Sequence, residues 1–389
     1  MKILQVIPAF VPAYGYGGAL KVCYEISKEL ALRGHEITVV TTDAFDINKR
    51  IQILEEEIDS IKVIRFKNLS NKLAKKYSGF LPLGYYKWVK KNITKFDLVY
   101  CHDTLTYQNL VTCFFCKKNK IPYYIQPHGN FSSTRINSRF KFIKKLLLYF
   151  FKHIFENANK IVAVTENERK EILKIKKSLE SKITVIPNAI NTEDFKNICK
   201  IDLHSKYGIK KENKLIGFIG RIQHIKGIDI TINILNQLKN KINFTFLIIG
   251  PDDGEKKNLE KQIQDLGLQN NVIFTGVLSG VEKLEAIKSC DMFLLTSRSE
   301  GLPISILEIA ALGIPQMISE ECNVPEIEEF NAGYVLPLEN INAFINKIYE
   351  VLSNVTLQNK LQINSLKMVK EKFEMDLIIT KIEEIILDV

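Results

Sequence analysis

Residues 297–313 read SRSEGLPISILEIAALG and follow directly on the apolar run MFLLTS at 292–297. A leucine-rich run that breaks at Ser, Glu and Gly and resumes as a longer apolar segment predicts strand, loop and helix. Pro303 stands where the helix begins and Gly313 where it ends. Glu308 falls inside that helix among Ile304, Leu307 and Ala311. A carboxylate in such company is costly unless it is paired or hydrogen-bonded. An arginine would satisfy it, and so would a vicinal diol whose two hydroxyls donate to one carboxylate. Glu300, beside the backbone amides of the loop, can hold a sugar's hydroxyls.

The same strand, loop and helix unit recurs on both sides of this stretch. Upstream, strand candidates are 2–8, 36–42, 62–66, 97–102, 123–128, 160–165 and 183–188, with helices at 18–33, 106–119, 138–157 and 166–179. After a polar stretch the pattern restarts with strands at 214–220, 244–250, 271–276, 292–297, 315–319 and 333–337. Near-continuous apolar strands alternating with amphipathic segments predict parallel sheets covered by helices on both faces. The reading is α/β, as two doubly wound domains joined near residues 190–212, with ligands at the carboxyl ends of strands and a cleft between the domains.

Strand ends elsewhere carry matching chemistry. GRIQHIKG at 220–227 places Arg221 and Lys226 around a short loop, two cations suited to a diphosphate. AYGYGGA at 13–19 brings Gly15, Gly17 and Gly18 to the start of a helix, where amides and the helix dipole suit phosphate. Its spacing is neither GxGxxG nor a P-loop. His128 ends the strand YYIQPH beside Gly129 and Asn130, placed to contact ligand as donor, acceptor or acid/base. Asp252 and Asp253 begin a polar turn and lack a third ligand, so no metal is expected.

Composition narrows the class. The 389 residues are 46% hydrophobic and 25% charged, as in globular proteins. The longest apolar run, LLLYFF at 146–151, falls far short of the ~20 residues of a membrane span. Gln5, Pro8 and Pro12 interrupt the N-terminal apolar stretch, which reads as a buried first strand rather than a signal peptide. Seven cysteines without framework spacing fit a reducing compartment, and the Cys113/Cys116 pair reads as buried thiols in a helix.

Charge is uneven. Residues 1–200 hold 34 Lys and Arg against 18 Asp and Glu, and Thr104 to Phe155 contains no acid, although the whole chain is only +10. This predicts an anionic partner for the first half. Helix-turn-helix, RNP and zinc-finger patterns are missing, so nucleic acid is not expected. In 138–157, SRFKFIKKLLLYFFKHIFEN, aromatics interleave with Lys141, Lys144, Lys145 and Lys152. Segment 71–95 adds Lys75, Lys76, Tyr77, Phe80, Tyr85, Tyr86, Trp88, Lys90 and Lys91. Both suit the headgroup boundary of an anionic bilayer. The expectation is a cytoplasmic, peripheral protein on the inner face of the membrane; joined to the family resemblance given next, it implies glycosylation of a lipid-linked acceptor in bacterial surface polysaccharide synthesis (capsule, lipopolysaccharide O-antigen or exopolysaccharide).

Together these motifs resemble the retaining nucleotide-sugar glycosyltransferases of family four, with the GT-B fold. GGALKVCYEISKELALRGHEITVVTT is similar to the family's opening loop, helix and second strand, and QPHGNF to its His-Gly element. IPNAINTEDF resembles its Pro-Asn-Gly-Val-Asp segment, although Ala189 and Asn191 replace the usual Gly and Asp. GRIQHIKG and EGLPISILE match the Gly-Arg…Lys-Gly loop and the Glu-x7-Glu motif without a gap.

The resemblance implies two Rossmann-like domains facing an inter-domain cleft. Residues 1–195 would bind acceptor, with helix 373–389 packing back on them, and 196–372 would bind donor. It implies a metal-independent retaining transfer, without cofactor, of a hexose or N-acetylhexosamine from a UDP- or GDP-type sugar. The acceptor would be a saccharide or a polyprenyl-diphosphate-linked saccharide. Arg221 and Lys226 would take the diphosphate and Glu308 the ribose. Glu300 with Gly301, Leu302 and Pro303 would hold the sugar, Gly17 and Gly18 would close on the phosphates, and His128 would meet the transferring sugar. A non-catalytic scaffold or regulatory subunit of the same fold is the alternative, and the presence of Arg221, Lys226, Glu300 and Glu308 weighs against it.

Overall fold

The apolar runs form two separate sheets. The computed structural model describes residues 1–77, 79–104, 106–129 and 152–388. Asn130, Phe131 and residues 138–151 of the expected basic-aromatic helix, with Lys141, Lys144 and Lys145, lie outside the described residues. So do the side chains of Lys75, Lys76 and Tyr77.

The first sheet contains β1 (Lys2–Val6), β2 (Glu36–Thr42), β3 (Glu55–Ile58), β4 (Ile61–Phe66), β5 (Leu98–His102), β6 (Tyr123–Gln126), β7 (Lys160–Ala163) and β8 (Ile183–Val185). Their order is β3-β4-β2-β1-β5-β6-β7-β8. All neighbours pair parallel except β3 with β4. Strand β3 was not among the expected strands. Its sequence, EEEI, carries no apolar signature, and it forms because Asp59 and Ser60 both adopt positive φ, at 47° and 63°, in a two-residue hairpin turn. A glutamate-rich strand at an open edge also discourages pairing with other chains.

The second sheet contains β9 (Lys214–Ile219), β10 (Phe244–Ile249), β11 (Val272–Gly276), β12 (Met292–Leu295), β13 (Gln316–Ser319) and β14 (Gly333–Leu336). It is parallel throughout, in the order β11-β10-β9-β12-β13-β14. Strand β10 is buried at every position, as helices on both faces require. Strand order reverses between β1 and β5 and between β9 and β12. In a doubly wound sheet those reversals mark the ligand positions.

Each sheet belongs to its own unit. One is Met1–Asn188 with Ile378–Val389, the other Ala189–Leu377, against sequence boundaries at 195 and 372. In the first unit the core includes Tyr85, Val99, Phe155 and Ile172; in the second it includes Phe218, Phe246, Leu294 and Phe344. The last helix, Met375–Leu387, lies on the first unit from Ile378 onward. There Glu383 accepts from Arg33 at 2.8 Å and contacts His35 at 3.1 Å, and the Tyr124 hydroxyl donates to the Ile385 carbonyl. Where the chain enters and leaves the second unit, Ile190 and Glu374 run side by side, tied by Ile190 N to Phe373 O at 2.8 Å and Met375 N to Ile190 O at 3.0 Å.

Candidate functional site

In the second unit the chemistry gathers at the carboxyl ends of β9 and β12. Strand β9 runs through Gly220 into Arg221, a 3-10 turn at His224–Lys226 and the helix Ile228–Leu238. Gly227 joins turn to helix at φ 65°, and a Cβ there would stand 1.8 Å from the Thr296 carbonyl oxygen, so only glycine fits. Thr296 Oγ1 donates to the Gly227 carbonyl at 2.7 Å and bonds Thr231 Oγ1 at 2.8 Å, locking the β9 loop to the end of β12. Arg298 completes the lock, donating to the His224 carbonyl at 2.6 Å and to both carboxylate oxygens of Asp229 at 2.8 and 2.6 Å. The fork of a guanidinium suits this bidentate grip.

This frame brings Lys226 and Glu300 into direct contact, with side chains only 14% and 6% exposed. Glu300 is held by its own backbone, its N donating to Glu321 O at 2.9 Å and its carbonyl accepting from Asn323 Nδ2 at 2.8 Å. Arg221 lies further out, 3.0 Å from Asp253, which also accepts from Gln223. Asp252 accepts three backbone amides, from Gly254, Glu255 and Lys256, at 2.9 to 3.2 Å. The Lys256 amide first of all holds Asp252 below the usual carboxylate range. Among the described residues no cluster of His, Cys, Asp and Glu has the makings of a metal site.

Downstream of Glu300, Gly301, Leu302 and Pro303 lead into the helix Ile304–Ala311. No side chain caps that helix and no acid lies in its first turn, so its N-terminal end stays suited to an anion or a polar ligand. Glu308, buried on this helix, receives Lys283 Nζ at 2.8 and 2.9 Å on its two oxygens. The partner is neither an arginine nor a diol but this lysine, on the helix Gly280–Ser289, which no local pattern in the sequence marks. Lys283→Met should destabilise the second unit by roughly 2–3 kcal/mol, less than the ~3–5 of a fully buried pair because Lys283 keeps some solvent contact. Urea midpoints would show it, and adding Glu308→Gln should recover part of the loss.

In the first unit Gly17 takes φ 121° and starts the helix Gly18–Leu32, again without a side-chain cap. His128 follows β6 with φ 55°, a conformation that costs a residue with a side chain. Its Nε2 lies 2.9 Å from His102 Nδ1 at the end of β5, and His102 Nε2 lies 2.7 Å from Gln5 Oε1 in β1. Burial pushes the His128 imidazole down to about 3, and burial with the neighbouring His128 holds His102 well below the ordinary range. Gly129 N donates to Glu168, whose other oxygen accepts from Val164 N at 2.7 Å, pinning the His-Gly turn to the end of β7. The sequence marks none of His102, Gln5 and Glu168 as a site residue, although a glutamine in a buried strand and a histidine ending a neighbouring one are the available signals. All seven cysteines are free thiols, with Cys113 and Cys116 buried.

Comparison with known proteins bears on the family and the fold. Residues 16–194 match the family model described as Glycosyltransferase Family 4, and residues 200–368 match that of Glycosyl transferases group 1. The chain is 26% identical over 388 residues to an uncharacterized glycosyltransferase of Methanocaldococcus jannaschii, covering 97% of this chain and 95% of that one. It is 28% identical over 322 residues to UDP-Gal:alpha-D-GlcNAc-diphosphoundecaprenol alpha-1,3-galactosyltransferase of Escherichia coli, covering 79% and 78%. In fold it is similar to Anabaena HepE in complex with UDP-glucose, with a TM-score of 0.79, 21% identity and full coverage of both chains. The two family models on the two units, with the two parallel sheets, make this chain a member of glycosyltransferase family four with the GT-B fold.

Proposed function

We propose that the protein transfers a hexose or N-acetylhexosamine from a nucleotide-diphosphate sugar to a saccharide or lipid-linked saccharide, with retention of configuration and without a metal. The observation that carries this reading is the Lys226–Glu300 contact beside the uncapped start of the helix Ile304–Ala311. Relatives bear on the substrates. The Escherichia coli relative's name specifies UDP-galactose and a diphosphoundecaprenol-linked acceptor, and that of a Bacillus anthracis relative, 22% identical over 383 residues covering 96% of this chain and 94% of that one, specifies N-acetylglucosaminyl L-malate synthesis.

On this reading Glu308 holds the ribose, and Glu300 with the Gly301, Leu302 and Pro303 segment holds the sugar. Arg221 and Lys226 take the diphosphate, and the uncapped Gly17–Gly18 helix start of the first unit suits a phosphate by the same physics. The bond from the anomeric carbon to the phosphate oxygen breaks, the bond to the acceptor oxygen forms on the same face, and the acceptor proton passes to the departing diphosphate. Negative charge building on that diphosphate is met by fixed cations and amides, preorganised before the reaction. A screen of UDP- and GDP-sugars for thermal stabilisation tests the donor. One sugar nucleotide should raise the melting temperature of the native chain but not of Glu308→Ala; no response to any of them would sink the proposal.

The acceptor side is proposed to meet an anionic bilayer, though not through Phe80, Tyr85 and Trp88, which the fold turns into its own core instead of toward a headgroup boundary. Asn68 and Pro82 pair antiparallel and are buried, so the alternate residues Lys67, Leu69, Leu81 and Leu83 face outward and are exposed. Three exposed leucines with Lys67 on the same face, and exposed Lys72 and Lys87 nearby in sequence, match a lipid boundary with negative headgroups. The chain should sediment with phosphatidylglycerol vesicles at low salt, and Leu81→Glu/Leu83→Glu should weaken this. Equal binding to neutral vesicles would remove the basis. No helix among the described residues is long and apolar enough to cross a membrane.

A further inference from the structure

Three local rules are broken in one row of side chains in the first unit. Gln5 is fully buried in β1, a central strand that is otherwise apolar from Ile3 to Val6, and its Nε2 has no hydrogen-bond partner. Leaving such a group unsatisfied typically costs about 1–3 kcal/mol. His102, also fully buried, stands between Tyr100 and His128 with ring planes 19° and 17° from theirs. His128 then takes a positive φ. Costs of this kind collect where the surrounding structure holds a group for use.

The row has a direction. Gln5 Oε1 only accepts, so His102 Nε2 carries the hydrogen between them. A neutral imidazole has one N–H, so His102 Nδ1 accepts and His128 Nε2 must be the donor across the 2.9 Å contact. That leaves His128 Nδ1 with its lone pair, and among the described residues no group bonds to it. Desolvation keeps both rings neutral, since His102 is fully buried and His128 half-buried against it.

We propose that Gln5 and His102 are positioning residues that set the tautomer of His128, so that its Nδ1 presents an acceptor to a hydroxyl of the transferring sugar. The tautomer follows from the row itself; its use on a sugar rests on the function proposed above. Turning the Gln5 amide over would reverse every hydrogen bond in the row and make the outward nitrogen a donor. A glutamine side chain thereby selects which sugar hydroxyl geometry the histidine accepts.

The test reads tautomers directly, in the full chain without ligand, by long-range proton–nitrogen correlation on ¹⁵N-histidine-labelled protein at neutral pH. Single His→Gln variants assign the signals. His102 and His128 should both show hydrogen on Nε2. Gln5→Glu, which accepts but does not donate, should keep that pattern. Gln5→Met, similar in shape but apolar, should lose it at His128 as the two tautomers mix. Hydrogen on His128 Nδ1 in the native chain, or a His128 signal indifferent to Gln5→Met, would overturn the proposal. If Gln5→Met does not fold, the native and Gln5→Glu spectra decide. Because no substrate is present, failure here leaves glycosyl transfer standing, and a failed donor screen leaves the tautomers standing.

Discussion

Lys226→Ala should lower transfer turnover by about 10²–10³-fold, the loss seen when one preorganised donor to a developing oxyanion is removed. The side chain is almost enclosed and is fixed at both ends of its surroundings, by the Gly227–Thr296 lock behind it and by Glu300 in front. A cation held in this way needs little reorganisation as the diphosphate gains charge, so the loss should appear in kcat more than in KM. Two side effects need separating. Removing the lysine also leaves the Glu300 carboxylate without its cation, which costs stability as well as activity. Lys226→Ala with Glu300→Gln should therefore regain stability without regaining turnover. A single variant within about threefold of native turnover would show that Lys226 is only a structural partner of Glu300.

The second large effect is expected at Gly250, which follows β10. Its φ is 148°, and a Cβ would stand 1.9 Å from the Gly220 carbonyl oxygen. Neither backbone has room to give, because Gly220 N is bonded to Ile249 O at 3.0 Å and Gly250 N to Gly276 O at 2.9 Å. Gly250→Ala combines a strained backbone angle with overpacking, and these together predict a loss of about 3 kcal/mol or more in the second unit. Since Gly220 leads straight into Arg221, the same variant should weaken donor binding. Gly254→Ala provides the control, with φ 100° but nothing within 4 Å of the added carbon. It should cost only about 1 kcal/mol, the strain alone. Equal urea midpoints for the two variants would contradict the close approach of Gly220 and Gly250.

Much of the site was legible as residue identities and little of it as contacts. Glu308 stood out because a carboxylate on an apolar helix needs an explanation, and Lys226 and Glu300 because each follows a strand end. Their meeting did not show, because 74 residues separate them. Lys283, 25 residues before Glu308, looked like any lysine on an amphipathic helix until the fold laid it across both carboxylate oxygens. Gln5 was noticed only for interrupting an apolar run. Its value as the end of a hydrogen-bonded row required β1 to lie beside β5, and β5 beside β6. The hairpin strand β3 escaped because its residues favour no strand by themselves; the turn at Asp59–Ser60 and the partner β4 create it.

The amino-acid order by itself determined most of the strand, loop and helix units, their buried faces and the turns made by glycine. Each of these depends on side chains within a few residues of one another: alternation, helical period, and glycine where φ is positive. Tertiary structure alone decided which strand ends became neighbours, and so which lysine faces which glutamate and which histidine is held by which glutamine. Strand order across a parallel sheet comes from crossover connections and from burial shared by distant segments, and no local pattern encodes it.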